Sequence, residues 1–206
     1  MAIWWWALIL PCCMLNCVES SAASSVLQRN KYNHAFRHTR STKTRVQQLL
    51  RKYKQEQLGS ESFEDRSRQL KDMPLLSTDF YSWLNLTDWD RLQAALKDMQ
   101  TYWNMLEGKR KQLEGEKEQM VAQTTLSQSI RDIQLDLRDL MRHVSSQMSF
   151  AGRSHKPVSF SPSSHEGGSK TTWDSRVEGY VILRDLDLFL IKLARDFLLM
   201  ASKTHS

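Results

Sequence analysis

The chain has 206 residues, enough for one domain with a sizeable core, and nothing in its composition calls for a second. Its formal charge of +6 and pI near 9.3 suit an acidic partner, whether nucleic acid, a heparin-like polymer or an acidic receptor, without selecting among them. No dinucleotide fingerprint, phosphate loop, serine elbow, zinc-protease motif or paired-cysteine motif occurs, which argues against an enzyme and leaves no cofactor to expect.

Residues 3–15 form an apolar run with Trp4, Trp5 and Trp6, and small residues, among them Ala22 and Ala23, follow. The run is shorter than the roughly 20 residues of a membrane span, so residues 1–22 read as a secretory signal and no stable membrane insertion is expected. The n-region carries no Lys or Arg. Cleavage near Ala22 or Ala23 removes Cys12, Cys13 and Cys17, the only cysteines, and leaves a domain over residues 23–206 that must hold together without disulfides.

Residues 26–45 are polar and basic. Beyond them Val46, Leu49, Leu50 and Tyr53 recur at helical spacing, and Gly59 stands where a C-terminal cap belongs, so helix A is predicted over about residues 33–58. His34 and His38 are four apart and share a helix face, but no Cys, Asp or Glu beside them completes a metal site; solvated histidines are the plain reading, and no metal is expected. The basic run over residues 37–45 likewise reads as a solvated face, without the aromatic or turn chemistry of nucleic-acid recognition.

Residues 59–86 show no sustained period, carry Pro74, and far exceed the usual link between bundle helices. Near their end Asn85-Leu86-Thr87 is an N-glycosylation sequon, which suits an exported surface position. Thr87 is the expected N-cap of helix B, about residues 88–113, with Asp90 completing a shortened capping box. Its apolar stripe is Trp89, Leu92, Leu96, Met99, Trp103, Leu106 and Leu113. The charged stretch between Gly108 and Gly115 reads as a short connector, and a short connector implies an antiparallel neighbour.

Helix C, about residues 120–148, carries Leu126, Ile130, Ile133, Leu137, Leu140, Val144 and Met148 in steps of three and four. A second long aperiodic segment, rich in Gly, Pro and Ser, separates Phe150 from Thr172 and reads as a mobile link. Thr172 is the expected N-cap of helix D, about residues 173–202, whose apolar set is Val177, Tyr180, Leu183, Leu186, Leu190, Leu193, Phe197 and Met200. Long, short, long is the loop order of an all-α, long-chain four-helix bundle with up-up-down-down topology and two long crossover loops. At the start of helix D, Trp173 and Arg176 share a face, a pairing that suits a binding hot spot as readily as a lid over the bundle end.

Met73-Pro74-Leu75-Leu76-Ser77-Thr78-Asp79, followed by Trp83 and by Arg91-Leu92-Gln93-Ala94-Ala95-Leu96, is similar to the segment entering helix B of ciliary neurotrophic factor. The likeness reaches Tyr53 near the end of helix A and residues 192–197 in helix D. On these residues the chain resembles the interleukin-6-type cytokines of the ciliary neurotrophic factor and leukaemia inhibitory factor group. In that group a Phe and a Lys three residues apart open helix D and engage the leukaemia inhibitory factor receptor chain, and a gap-free alignment puts Trp173 and Arg176 there. A larger ring and a different cation thus replace the usual pair, and a guanidinium fork is not equivalent to an ammonium.

The resemblance also implies that exposed faces of helices A and C meet the shared interleukin-6-family glycoprotein signalling chain. A further patch, from the end of the A-to-B loop and the C-terminal half of helix D, would serve a subunit like the ciliary neurotrophic factor receptor where one is used; Tyr81 or Trp83 would stand in it. The implied function is that of a secreted ligand, monomeric before binding, that assembles receptor chains and activates Janus kinases and STAT factors. Ciliary neurotrophic factor itself lacks a conventional signal, so this chain is closer in that respect to the secreted relatives. The competing reading from another class is an amphipathic, lipid-binding helical protein, suggested by the basic charge and the apolar stripes.

Overall fold

The computed structural model describes residues 6–71, 73–75, 79–115, 124–150 and 171–203, and among these every regular element is helical. Helix A is α1 (Trp6–Leu58), helix B is α3 (Asp88–Gly115), helix C is α4 (Thr124–Phe150) and helix D is α5 (Thr172–Lys203); a six-residue helix, α2 (Phe80–Asn85), precedes α3. Residues 120–123 of the expected helix C and residues 151–170 of the second crossover lie outside the described residues.

The relative direction of the helices follows from which side chains meet. Along α1 and α5, Tyr53 donates its hydroxyl proton to Arg176 O at 3.0 Å, and Lys43 pairs with Asp187 at 3.7 Å. Along α1 and α4, Arg45 pairs with Asp136 at 2.8 Å while the rings of His34 and His143 lie 4.9 Å apart. Along α3 and α5, Lys109 donates to Ser175, Asp98 pairs with Lys192 at 3.7 Å, and Asp88 with Lys203 at 2.9 Å. In each pair the numbers rise on one helix as they fall on the other. Since α4 and α5 both oppose α1, and α5 opposes α3, the order is up, up, down, down.

Each long helix has two principal neighbours, α1 packing on α5 and α4, and α3 on α4 and α5. Every residue of the apolar stripes expected for helices C and D is buried. On α3, Leu92, Leu96, Met99, Leu106 and Leu113 are buried, while Trp89 and Trp103 are only partly covered and Ala95, Tyr102 and Met105 complete the inward face. The stretch expected to link helix B onward is helical: α3 continues through Gly108 to Gly115 because Lys109 and Leu113 both find buried positions on the next two turns.

Helix A also begins earlier than expected. Its inward residues are Tyr32, Ala35, Thr39, Thr42, Val46, Leu49 and Tyr53, steps of three and four throughout. Thr39 and Thr42 are fully buried yet satisfied, each hydroxyl donating to the carbonyl one turn back, Ala35 O at 2.8 Å and His38 O at 3.1 Å. At the other end Gly59 takes a positive φ of 75°, as its expected capping role requires, and Ser60 N donates back to Lys54 O at 3.3 Å.

One helix contact depends on a missing side chain. A Cβ on Gly179 would run into Tyr53 Oη and Lys109 Cε, so glycine lets α5 approach α1 and α3 where those two long polar side chains cross.

Candidate functional site

The first candidate surface is the start of α5. The N-cap is Thr171, one residue before the position expected, and it forms a reciprocal pair with Asp174: Asp174 N donates to Thr171 Oγ1 at 3.0 Å, and that hydroxyl donates to Asp174 Oδ2 at 2.7 Å. Trp173 therefore stands in the first turn. Its ring meets Phe63 of the α1–α2 loop edge to face at 6.0 Å and remains 50% exposed. Phe63 also meets Tyr180 at 5.1 Å, so it is Phe63 that covers the bundle end, and Trp173 leans on it with much of its surface in water. Arg176, one turn on, is half-buried; its carbonyl takes the Tyr53 proton, and its Nε is enclosed without a hydrogen-bond partner.

Between these two residues Asp174 pairs with Arg68 at 2.6 Å. Hydrogen bonds from Arg68 and then Thr171 hold its carboxyl below the usual range. The loop that supplies Phe63 and Arg68 is fastened down: Arg184 donates to Asp65 O and to Arg68 O, and Asp65 Oδ1 accepts from Ser67 N, Ser67 Oγ and Arg68 N within 3.0 Å. The result is a shallow recess walled by Phe63, Arg66, Arg68, Trp173 and Val177.

The second surface lies at the opposite end of α5, and here the two residues named together from sequence have different surroundings. Tyr81 is 73% exposed on α2, beside exposed Phe80 and Leu84, whereas Trp83 is only 6% exposed. The Trp83 indole N–H donates to Asp196 Oδ1 at 2.6 Å, and its ring lies between the guanidinium groups of Arg91, at 4.7 Å, and Arg195, at 4.2 Å. Arg91, fully buried, donates to Asp196 Oδ1 at 3.0 Å and to the carbonyls of Trp83 and Leu84. This buried network fixes α2 to α5, and it had no local signal in the sequence because its members come from three elements. Along α5, exposed Leu188, Ile191 and Leu198 fall on one stripe with Arg195. Asn85, the sequon residue at the end of α2, is exposed.

The third surface is the seam of α1 and α4. His34 and His38 are joined there by His143, and Arg37, Asp139 and Arg142 line the same open recess. Partial burial, then the two other imidazoles, hold the His143 pKa below its ordinary value.

Among the described residues no helix is long and apolar enough to cross a membrane. Four long helices in up-up-down-down order, exposing separate aromatic and charged patches, define a long-chain helical cytokine. The family model described as ciliary neurotrophic factor matches residues 17–206, nearly the whole chain, and the chain belongs to that family. No individual curated protein matches it.

Proposed function

We propose that this cytokine is secreted and acts by bringing receptor chains together through separate surfaces, switching on Janus kinases and STAT factors without making or breaking a bond itself. What carries the reading is the spacing of exposed residues along α5. From Trp173 to Leu198 the helix rises about 37 Å, so its two exposed patches stand at opposite ends of the bundle, where each is open to its own receptor chain. The start of α5, with Trp173 and Arg176, is assigned to a leukaemia inhibitory factor receptor-like chain. Tyr81, with the exposed stripe of α5 beside it, is assigned to a ciliary neurotrophic factor receptor-like subunit, and Trp83 supports that patch from beneath. The exposed faces of α1 and α4 are assigned to the shared glycoprotein signalling chain.

Residues 1–22 are assigned as the signal. The first buried residue among those whose side chains are described is Tyr32, so cleavage after Ala22 leaves those core contacts intact. Asn85 is assigned as a glycan acceptor. The lipid-surface alternative needs apolar stripes free in water, whereas those of α1, α3, α4 and α5 are buried against one another.

The test is STAT phosphorylation in cells given the secreted protein. Trp173→Ala combined with Arg176→Ala should keep the helix content and melting temperature of the parent and lose most of the response. A folded double variant with full activity would overturn the assignment.

A further inference from the structure

We infer that the outward face of α1 binds a sulfated glycosaminoglycan chain. The positive charge of the molecule is concentrated on this one helix. α1 carries nine Lys and Arg against two Asp and Glu, whereas α3 carries five against five, α4 three against three and α5 five against five. A surface charged only for solubility mixes both signs, as the other three long helices do, while a single-sign field along one rod draws in a polyanion.

In sequence the cations of residues 37–45 read as a solvated face, and the fold divides them into two groups. Lys43 turns to Asp187 at 3.7 Å and Arg45 to Asp136 at 2.8 Å, and farther along Lys52 meets Glu56 at 3.9 Å. Arg29, Arg37, Arg40 and Arg51 are exposed, and none of them forms an ion pair with a described residue. Arg29, Arg40 and Arg51 are spaced eleven apart, very nearly three turns, so they stand on one line about 33 Å long. Arg37, three residues before Arg40, shares that face. The line looks away from the buried side of the helix, where Tyr32, Ala35, Thr39, Val46 and Tyr53 lie. No Asp or Glu falls on α1 between Glu19 and Glu56 to interrupt it.

Guanidinium forks along a straight face suit a linear chain of sulfate groups, since each fork can donate two parallel hydrogen bonds to one anionic group as it does to a phosphate. Between Arg29 and Arg51 the helix exposes no large apolar side chain. It therefore lacks both the rings on which nucleic-acid bases stack and the apolar face that seats a helix in a lipid surface. The choice of an extracellular polyanion also rests on the secretion proposed above. The stripe runs beside His34, His38 and Arg45, the side chains that meet α4, and so leaves the α1–α4 seam to the signalling chain.

The experiment measures binding of the purified, untagged chain to a heparin oligosaccharide by calorimetry over a range of salt. Saturable binding is expected at about 0.15 M salt, with log affinity falling linearly against log salt. Each ionic contact adds roughly 0.7–0.9 to that slope in nucleic-acid complexes, so the combination of Arg29→Gln, Arg37→Gln, Arg40→Gln and Arg51→Gln should flatten it by about 3 and weaken binding at least about tenfold. A charge-matched control, Lys71→Gln with Lys97→Gln, Lys111→Gln and Lys203→Gln, removes exposed lysines elsewhere and should stay within about threefold of the parent. Circular dichroism of both variants should match the parent. Secretion is scored separately, by the appearance of the chain in the culture medium, so that reading can fail while heparin binding stands, and the reverse. No saturable binding by the parent would overturn the proposal, as would equal losses in the two four-site variants. Tighter binding to a single-stranded oligonucleotide or to phosphatidylserine vesicles than to heparin would overturn it too.

Discussion

Trp83 and Tyr81, two residues apart, show how burial divides the work of a single turn. Trp83 fills a slot between Arg91 and Arg195 and donates to the buried carboxylate of Asp196, while Tyr81 points its ring into water beside Phe80. Trp83→Ala should cost about 3–5 kcal/mol, because a large ring is lost and a buried acceptor loses a donor. Tyr81→Ala should fall within about 0.5 kcal/mol of the parent and change receptor binding instead. Urea unfolding of the two variants separates these outcomes. Tyr102 offers a second contrast: it packs on Phe189 at 5.1 Å, yet its buried hydroxyl has no hydrogen-bond partner. Tyr102→Phe should therefore be neutral or stabilising by up to about 1 kcal/mol. Burial, then the Asp185 charge, pushes the Tyr102 phenol above its ordinary value of 10.0. Its share of stability is full below about pH 10 and is lost as the pH rises further, since only the unfolded chain ionises there. Unfolding measured on either side of that pH should show a smaller alkaline loss in the Phe variant.

At the scale of the element, the signals that could be read locally were the caps and the apolar periods. Thr87 caps α3 as expected, with Asp90 N donating to Thr87 Oγ1 at 3.1 Å, and the cap of α5 was off by one residue because two threonines stand together at its start. Thr87→Ala and Thr171→Ala should each cost about 1 kcal/mol by urea unfolding. Since Thr171 also sets the turn that presents Trp173, its loss should lower receptor affinity, whereas the Thr87 variant keeps it. The front of α1 was harder to read. Hydrophobicity sees nothing periodic in residues 26–45, because two of the inward positions are Thr39 and Thr42, and only the completed fold shows that back-bonded hydroxyls can occupy them. The same limit applies at His143: nothing in the neighbourhood of His34 and His38 in sequence announces a third imidazole more than a hundred residues away. The charged run after Gly108 was misjudged for a related reason. Lys109 looks solvent-seeking in sequence but is buried, with its ammonium donating to Ser175 and to Gln112 at 2.8 Å.

At the scale of the whole molecule, loop length was the informative quantity. A link long enough to return the full length of a helix allows parallel neighbours, and the ion-pair register between α1, α3, α4 and α5 shows that arrangement. Placing α1 parallel to α3 brings the start of α5 beside the first part of the α1–α2 loop, and the far half of α5 beside α2. Each end of α5 is thereby built by a different part of one crossover, so the two surfaces should fail independently. The measurement that tests this most directly is binding of separate receptor ectodomains to immobilised parent and variant proteins. Trp173→Ala with Arg176→Ala should abolish capture of the leukaemia inhibitory factor receptor-like chain and keep capture of the ciliary neurotrophic factor receptor-like subunit, and Tyr81→Ala should do the reverse. Loss of both ectodomains from either folded variant, or of neither from both, would contradict a ligand built on separate surfaces.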